Sequence, residues 1–287
     1  FVATGTAANT LSMAAVARTS GLVFCSADAH LHNDEYGATE FLTGMKLVAI
    51  PAAAGKVTPA TLAASLEAFP EGGRSGPATV LTLTNATECG TTYSPAEVAA
   101  LAALAKKRGM AVHVDGARFA NAVAATDATP ADLTWRAGVD LMSFGGTKNG
   151  CLGAEAIVVF NRDVAPDIAL LRQRAGHVMS KARFVAAQYE GYFEGGAWLA
   201  AARHANAMAA RLTAGLQVRN DMRLPWPSTA NEVFPVLSKT AIAQLRAAGA
   251  QFYEWPLPGV DADEDCVRLV TSFASTEAEV DRFLSLL

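Results

Sequence analysis

Apolar residues in this chain recur in two patterns. Short, nearly continuous apolar runs rich in β-branched residues cover Leu22 to Cys25, Lys46 to Ile50, Thr79 to Leu83, Ala111 to Val114, Val139 to Phe144 and Ala156 to Phe160. Runs of that length without a polar face predict strands covered on both sides. Between them, the alanine-rich segments Thr6 to Arg18, Pro59 to Phe69, Ser94 to Arg108 and Pro130 to Arg136 predict helices. Ser94-Pro95-Ala96-Glu97 is a helix start with a mechanism: Ser94 caps, proline suits the first helical position, and Glu97 completes a capping box. Gly109 then releases the chain into the next strand. Such alternation predicts an α/β fold, a mostly parallel sheet with helices on both faces.

The pattern changes near Asp163. Asp163 to Val178 and Lys181 to Leu216 read as helical, with a break at Gly195-Gly196, and Leu224-Pro225-Trp226-Pro227 marks a linker or a turn. A short strand near Val233, a helix from Lys239 to Ala248, a strand from Cys266 to Thr271 and a helix from Glu277 follow. We therefore expect a large domain over 1–178, then an interdomain helix and a small C-terminal α/β domain over 179–287.

Composition narrows the function classes. The 287 residues suffice for a large domain with a smaller partner. With 51% hydrophobic and 17% charged residues, an intrinsically disordered chain is excluded. A net charge of −4 offers no electrostatic footprint for nucleic acid or an anionic membrane surface. No stretch approaches the apolar length of a spanning helix. Cys25, Cys89, Cys151 and Cys266 lie far apart and form no C-x-x-C pair, which argues against zinc-finger and thioredoxin readings. Free thiols and a cytoplasmic location are the expectation.

Ligands of parallel α/β sheets bind at strand carboxyl ends and helix N-termini, and four segments fall there. Thr4-Gly5-Thr6 opens the first helix, where backbone N–H groups and the helix dipole favour a phosphate. The alternative is a plain structural turn; neither a P-loop nor a G-x-G-x-x-G fingerprint is present. In His113-Val114-Asp115-Gly116-Ala117-Arg118 an acid ends an apolar strand, either to cap the next helix or to meet a cation. Lys148 sits among small residues in Gly145-Gly146-Thr147-Lys148-Asn149-Gly150, as a solvated loop residue or as an amine able to form a Schiff base. Arg268 interrupts an apolar strand, which requires either a carboxylate partner or an edge position facing water. Together, an anion cradle, a strand-end acid and a later lysine supply what pyridoxal phosphate needs: a phosphate site, a partner for the ring nitrogen and an amine for the aldehyde.

The segments HVDGARFANA, SFGGTKNG, AHLHNDEYGA and VRLVTS resemble the low-specificity L-threonine aldolases, fold-type-I pyridoxal-phosphate enzymes of the β-eliminating lyase group with the aspartate aminotransferase architecture. The resemblance implies Lys148 as the Schiff-base lysine, Asp115 as partner of the pyridine nitrogen and Arg118 beside the phenolic oxygen. It further implies Gly5 and Thr6 at the phosphate, His30 stacked on the ring and close to substrate, and Arg268 on the substrate carboxylate. His32 is expected to be peripheral, His113 a hydrogen-bonded core residue, and Cys151 without a catalytic part. In many members a second histidine occupies the loop that reads Thr87-Glu88-Cys89-Gly90 here, and Glu88 takes its position. Arg174, Lys181 and Arg183 are open candidates for the phosphate.

The implied reaction is retro-aldol cleavage of a β-hydroxy-α-amino acid, such as L-threonine, L-allo-threonine or phenylserine, to glycine and an aldehyde. His30, Glu88 or a water is the base for the β-hydroxyl proton. The alternatives are another fold-type-I lyase or aminotransferase and, from a different class, a noncatalytic nucleotide-binding domain. The resemblance also implies a homodimer or homotetramer with sites between subunits. It implies as well a family segment ahead of the Thr4-Gly5-Thr6 turn, expected to be missing here. No metal is expected.

Overall fold

The computed structural model describes residues 1–219 and 222–287. Its main sheet is built from β1 (Leu22–Ser26), β2 (Lys46–Ile50), β3 (Ala78–Thr84), β4 (Ala111–Gly116), β5 (Leu141–Gly145) and β6 (Glu155–Val159). The order is β2-β1-β3-β4-β5-β6, parallel throughout except that β6 runs antiparallel to β5. Alternate residues of β1 enter different cores. Leu22 and Phe24 pack in a cluster with residues of α4 (Pro59–Glu67) and α5 (Pro95–Lys107), whereas Val23 and Cys25 pack in another with Met13 of α1 (Gly5–Ala15). Two covered faces are why these strands carry no polar side. β1, β3, β4 and β5 share one direction, so their carboxyl ends form a single edge.

Two helices start as their sequences dictate. Ser94 and Glu97 form the reciprocal capping box of α5, and Thr58 with Thr61 forms another at α4. Other expectations need correction. Pro130 to Arg136 is not an α-helix but turns ending in a short 3-10 stretch, because Thr134 leaves helical φ/ψ and its hydroxyl bonds back to Pro130 O. The helix of that region is α6 (Phe119–Thr126), which lacks a side-chain cap. Asp163 to Val178 holds only α7 (Ile168–Arg174) and a 3-10 turn at Arg162–Val164, since Pro166 forces Ala165 out of the helical region. Two short helices, α2 (His30–Asn33) and α3 (Ala38–Thr43), occupy the β1–β2 connection.

The break at Gly195-Gly196, where both φ are positive, separates α8 (Arg183–Phe193) from the long α9 (Ala197–Gln217). The C-terminal lobe is an antiparallel sheet of β7 (Glu232–Val233), β8 (Val236–Ser238), β9 (Tyr253–Glu254) and β10 (Glu264–Val270). α10 (Lys239–Ala247) and α11 (Glu277–Ser285) complete it, around a core that includes Met208, Leu212, Val267 and Val280. All four cysteines are free. Among the described residues no helix is long and apolar enough to cross a membrane.

Candidate active site

The carboxyl edge of the large sheet meets the small lobe at a cavity lined by Gly5, Thr6, His30, Glu88, Asp115, Arg118, Lys148 and Arg268, among others. The sequence-predicted site residues thus converge on one space. A wider groove of about 410 Å³ lies in the small lobe, but its only charged lining residues are Glu279 and Arg282, and Glu279 is engaged in capping α11.

Asp115 ends β4 and is buried. Gly116 follows it because a Cβ there would lie 2.6 Å from Ser143 O of the neighbouring strand. Asp115 Oδ1 accepts from Ala117 N (3.0 Å) and Oδ2 from Asn9 Nδ2 (2.8 Å). Two directional donors from different elements fix the carboxylate toward the cavity, so it is not a simple helix cap. Its neighbour His113 is a core histidine, bonded to the Thr82 and Ser143 hydroxyls at 2.8 and 3.0 Å. Burial keeps it neutral, with its pKa lowered to about 4.

Lys148 lies in a 3-10 turn after β5. The turn is tight: a Cβ at Gly146 would come 2.8 Å from Cys151 Sγ. It is anchored by Asn149 Nδ2, which donates to Tyr192 Oη (2.7 Å) and Trp198 O (2.8 Å). Lys148 keeps accessible surface, as a side chain projecting into an open cavity must, while the protein packed around its amine lowers its pKa. Arg118 adds to the lowering; Asp115 and Glu232 oppose it. Among the described residues its Nζ has no hydrogen-bond or ion-pair partner. An unpaired amine biased toward its neutral form is a nucleophile in waiting.

Glu88 Oε1 accepts from His30 N (2.7 Å) and from the Thr84 hydroxyl (3.0 Å), leaving Oε2 buried without a partner. Burial pushes its pKa up to about 7. His30 Nδ1 lies 3.0 Å from Glu35 Oε1, and that hydrogen bond raises the imidazole pKa against the opposing effect of burial. His32 is exposed and outside the cavity.

Arg268 is on β10, which pairs with β7, β8 and β9, so the edge-strand reading is overturned. Its carboxylate partner lies within this chain. Glu232 Oε1 accepts from Arg268 Nε (2.8 Å) and Nη2, and from Arg118 Nη2 (3.0 Å). One buried acid therefore ties the two arginines together, and Trp255 lies 5.2 Å from the Arg268 guanidinium. Gly90 permits this seating, since its φ is +74° and a Cβ there would strike Glu232 O at 2.5 Å. Arg174, Lys181 and Arg183 are exposed and do not line the cavity.

Asn9, Glu35 and Glu232 are the site residues that sequence reasoning missed. Asn9 lies within the apolar α1 and Glu232 before Val233-Phe234, whereas Glu35 is one acid in the polar run His32-Asn33-Asp34-Glu35. All three are buried; for Asn9 and Glu232 the signal is a polar residue where the pattern asks for an apolar one, and for Glu35 the sequence carries no such signal.

The residues suit an anionic aromatic cofactor. Gly5 and Thr6 present first-turn N–H groups without intrahelical partners, and nothing lies within 3.8 Å of a Cβ placed on Gly5. Glu88 Oε2 and Arg118 Nε are buried polar atoms with no hydrogen-bond partner among the described residues.

Comparisons with known proteins bear on the family and the fold. The family model for β-eliminating lyases matches residues 1–239. The low specificity L-threonine aldolase of Pseudomonas aeruginosa is 44% identical over 254 residues, 88% of this chain and 73% of that relative. A solved threonine aldolase from Leishmania major superposes with a TM-score of 0.91 at 30% identity, covering 99% of this chain and 82% of that one. A solved SPT that carries PLP shares the fold alone, with a TM-score of 0.71 and 17% identity over 99% of this chain and 70% of its own. The fold is that of the fold-type-I pyridoxal-phosphate-dependent enzymes. Within that class the chain belongs to the β-eliminating lyase family, with the low-specificity L-threonine aldolases as its close kin.

Proposed function

We propose that this chain is a carbon–carbon lyase that cleaves β-hydroxy-α-amino acids, L-threonine and L-allo-threonine among them, to glycine and an aldehyde. The observation that carries the proposal is the convergence of Lys148, Asp115, the α1 N-terminus and Arg268 on one cavity. Pyridoxal 5'-phosphate, held through Lys148, would supply the electron-withdrawing ring that makes Cα–Cβ cleavage accessible. Asp115 would keep the ring nitrogen protonated, Gly5 and Thr6 would take the phosphate, and Arg118 would lie beside the ring oxygen.

Glu232 leaves the arginine pair with one net positive charge, which suits a single substrate carboxylate at Arg268. Of the candidate bases, Glu88 fits best. Its Oε1 is occupied, its Oε2 is free, and a pKa of about 7 lies near operating pH. Glu88 takes the β-hydroxyl proton on Oε2. The Glu35 hydrogen bond raises the pKa of His30, which favours its protonated form.

Assembly as a homodimer or homotetramer and a cytoplasmic location belong to the same proposal, the latter supported by the free thiols. The test is to incubate the purified protein with pyridoxal phosphate and the isomers of threonine, allo-threonine and phenylserine. Glycine and aldehyde in equal amounts are expected. Ammonia and a keto acid would instead identify an eliminating enzyme on the same fold.

A further inference from the structure

Glu35 has no exposed side-chain surface and lies in the turn between α2 and α3. Its Oε1 is an acceptor for two groups, Asn9 Nδ2 at 2.9 Å and His30 Nδ1 at 3.0 Å. The same Asn9 nitrogen donates to Asp115 Oδ2 at 2.8 Å. One amide, with its two protons, thus stands between two buried carboxylates. Its orientation is unambiguous, because a flip would set Oδ1 against both acids. The row reads Asp115, Asn9, Glu35, His30.

Holding the imidazole in place does not by itself need a carboxylate. A glutamine carbonyl at position 35 would accept from both donors equally well. Among the described residues Glu35 Oε2 is buried with no partner, so a carboxylate there costs more to desolvate than a neutral amide would. What the acid adds is charge. We infer that Glu35 is a positioning residue that fixes the proton of His30 on Nδ1 and favours the protonated ring, in a hydrogen-bonded row that ends at Asp115.

The other charged groups around His30 do not replace it. Asp115 from β4 favours the imidazolium and Lys148 from the turn after β5 opposes it. Glu88 bonds the backbone N–H of His30, not its ring. Arg118, Glu232 and Arg268 line the same cavity but bond to one another, not to the ring. On its own segment Asp28, His32 and Asp34 make no bond to the ring among the described residues. The kinetic side of the inference rests on the proposed lyase reading; the structural side does not.

Long-range 1H–15N NMR of the purified protein, with and without pyridoxal phosphate, reads the proton on each ring nitrogen of its five histidines. His30 is assigned by its disappearance in His30→Phe. Wild-type His30 should titrate above the ordinary histidine range with Nδ1 protonated throughout. Glu35→Gln should lower that midpoint by about one pH unit or more. In aldehyde release, the alkaline limb should move toward lower pH by the same amount, with the acid limb unchanged. A wild-type His30 with an ordinary or depressed midpoint, or with its neutral-form proton on Nε2, overturns the inference with no variant needed. So does a Glu35→Gln protein whose His30 midpoint does not move. Absence of aldehyde release with a raised His30 midpoint would refute the lyase reading and leave the role of Glu35 standing.

Discussion

Two ends of the same sheet treat buried acids in opposite ways. At the amino end of β5, Asp140 is fully bonded: Oδ1 accepts from Asn161 Nδ2 (3.0 Å), and Oδ2 from Val112 N (2.8 Å) and Lys106 Nζ. At the carboxyl end, among the described residues, Glu35 and Glu88 each leave one buried oxygen unsatisfied, and Arg118 Nε in the same cavity is unsatisfied too. The first arrangement joins helix, strand and loop, and has nothing left to offer a ligand. The second carries a desolvation cost that the fold itself does not recover. Asp140 spends its hydrogen-bonding capacity inside the scaffold, whereas Glu35, Glu88 and Arg118, which line the cavity, each keep a buried polar atom unspent.

This contrast can be broken by substitution. Replacing Lys148 with alanine should eliminate nearly all aldehyde release while leaving Tm within a few degrees, since its amine bonds nothing in the fold. Glu88→Gln should lower kcat about 10²- to 10⁴-fold, the usual range for a lost general base. It keeps the Oε1 contacts and removes the charge, so Tm should not fall. In the parent enzyme the base form of Glu88 is depleted as pH drops through about 7, so kcat/KM should decline below that pH. A pH–rate profile checks the limb and its disappearance in the glutamine variant.

The scaffold end should respond in reverse. Asp140→Ala leaves the Val112 N–H buried and unpaired, and should cost about 1–3 kcal/mol in urea unfolding with KM and kcat unchanged. Smallest is Ser94→Ala, which removes the α5 cap at about 1 kcal/mol and should leave the kinetics untouched. Loss of catalysis with Asp140→Ala, or loss of stability with Glu88→Gln, would erase the distinction between the two ends.

Much of this was legible in the sequence because burial on two faces leaves an unmistakable apolar pattern. The six main strands and the α4, α5 and α9 helices are visible for that reason. Asp115, Lys148, Gly5 and Arg268 are visible because each sits where a strand ends or a helix begins, or breaks an apolar run. α6 was hidden, since Phe119 to Thr126 carries neither cap nor stop, and Pro130 to Arg136 has helical composition but a backbone set by Thr134. Asn9, Glu35 and Glu232 were hidden for another reason. Their work is to hold other site residues, and their partners lie 26 to 114 positions away, or on either side of a turn. Spacing along a chain does not encode such contacts.

The central claim is that one amine, Lys148, binds the aldehyde of pyridoxal phosphate in the cavity that Asp115 shares. Borohydride reduction of the cofactor-loaded protein, followed by peptide mass mapping, tests it directly. The label should fall on the peptide containing Lys148, and Lys148→Ala should carry none there. A label on another lysine, or a protein that takes up no cofactor and shows no visible band, would contradict the account.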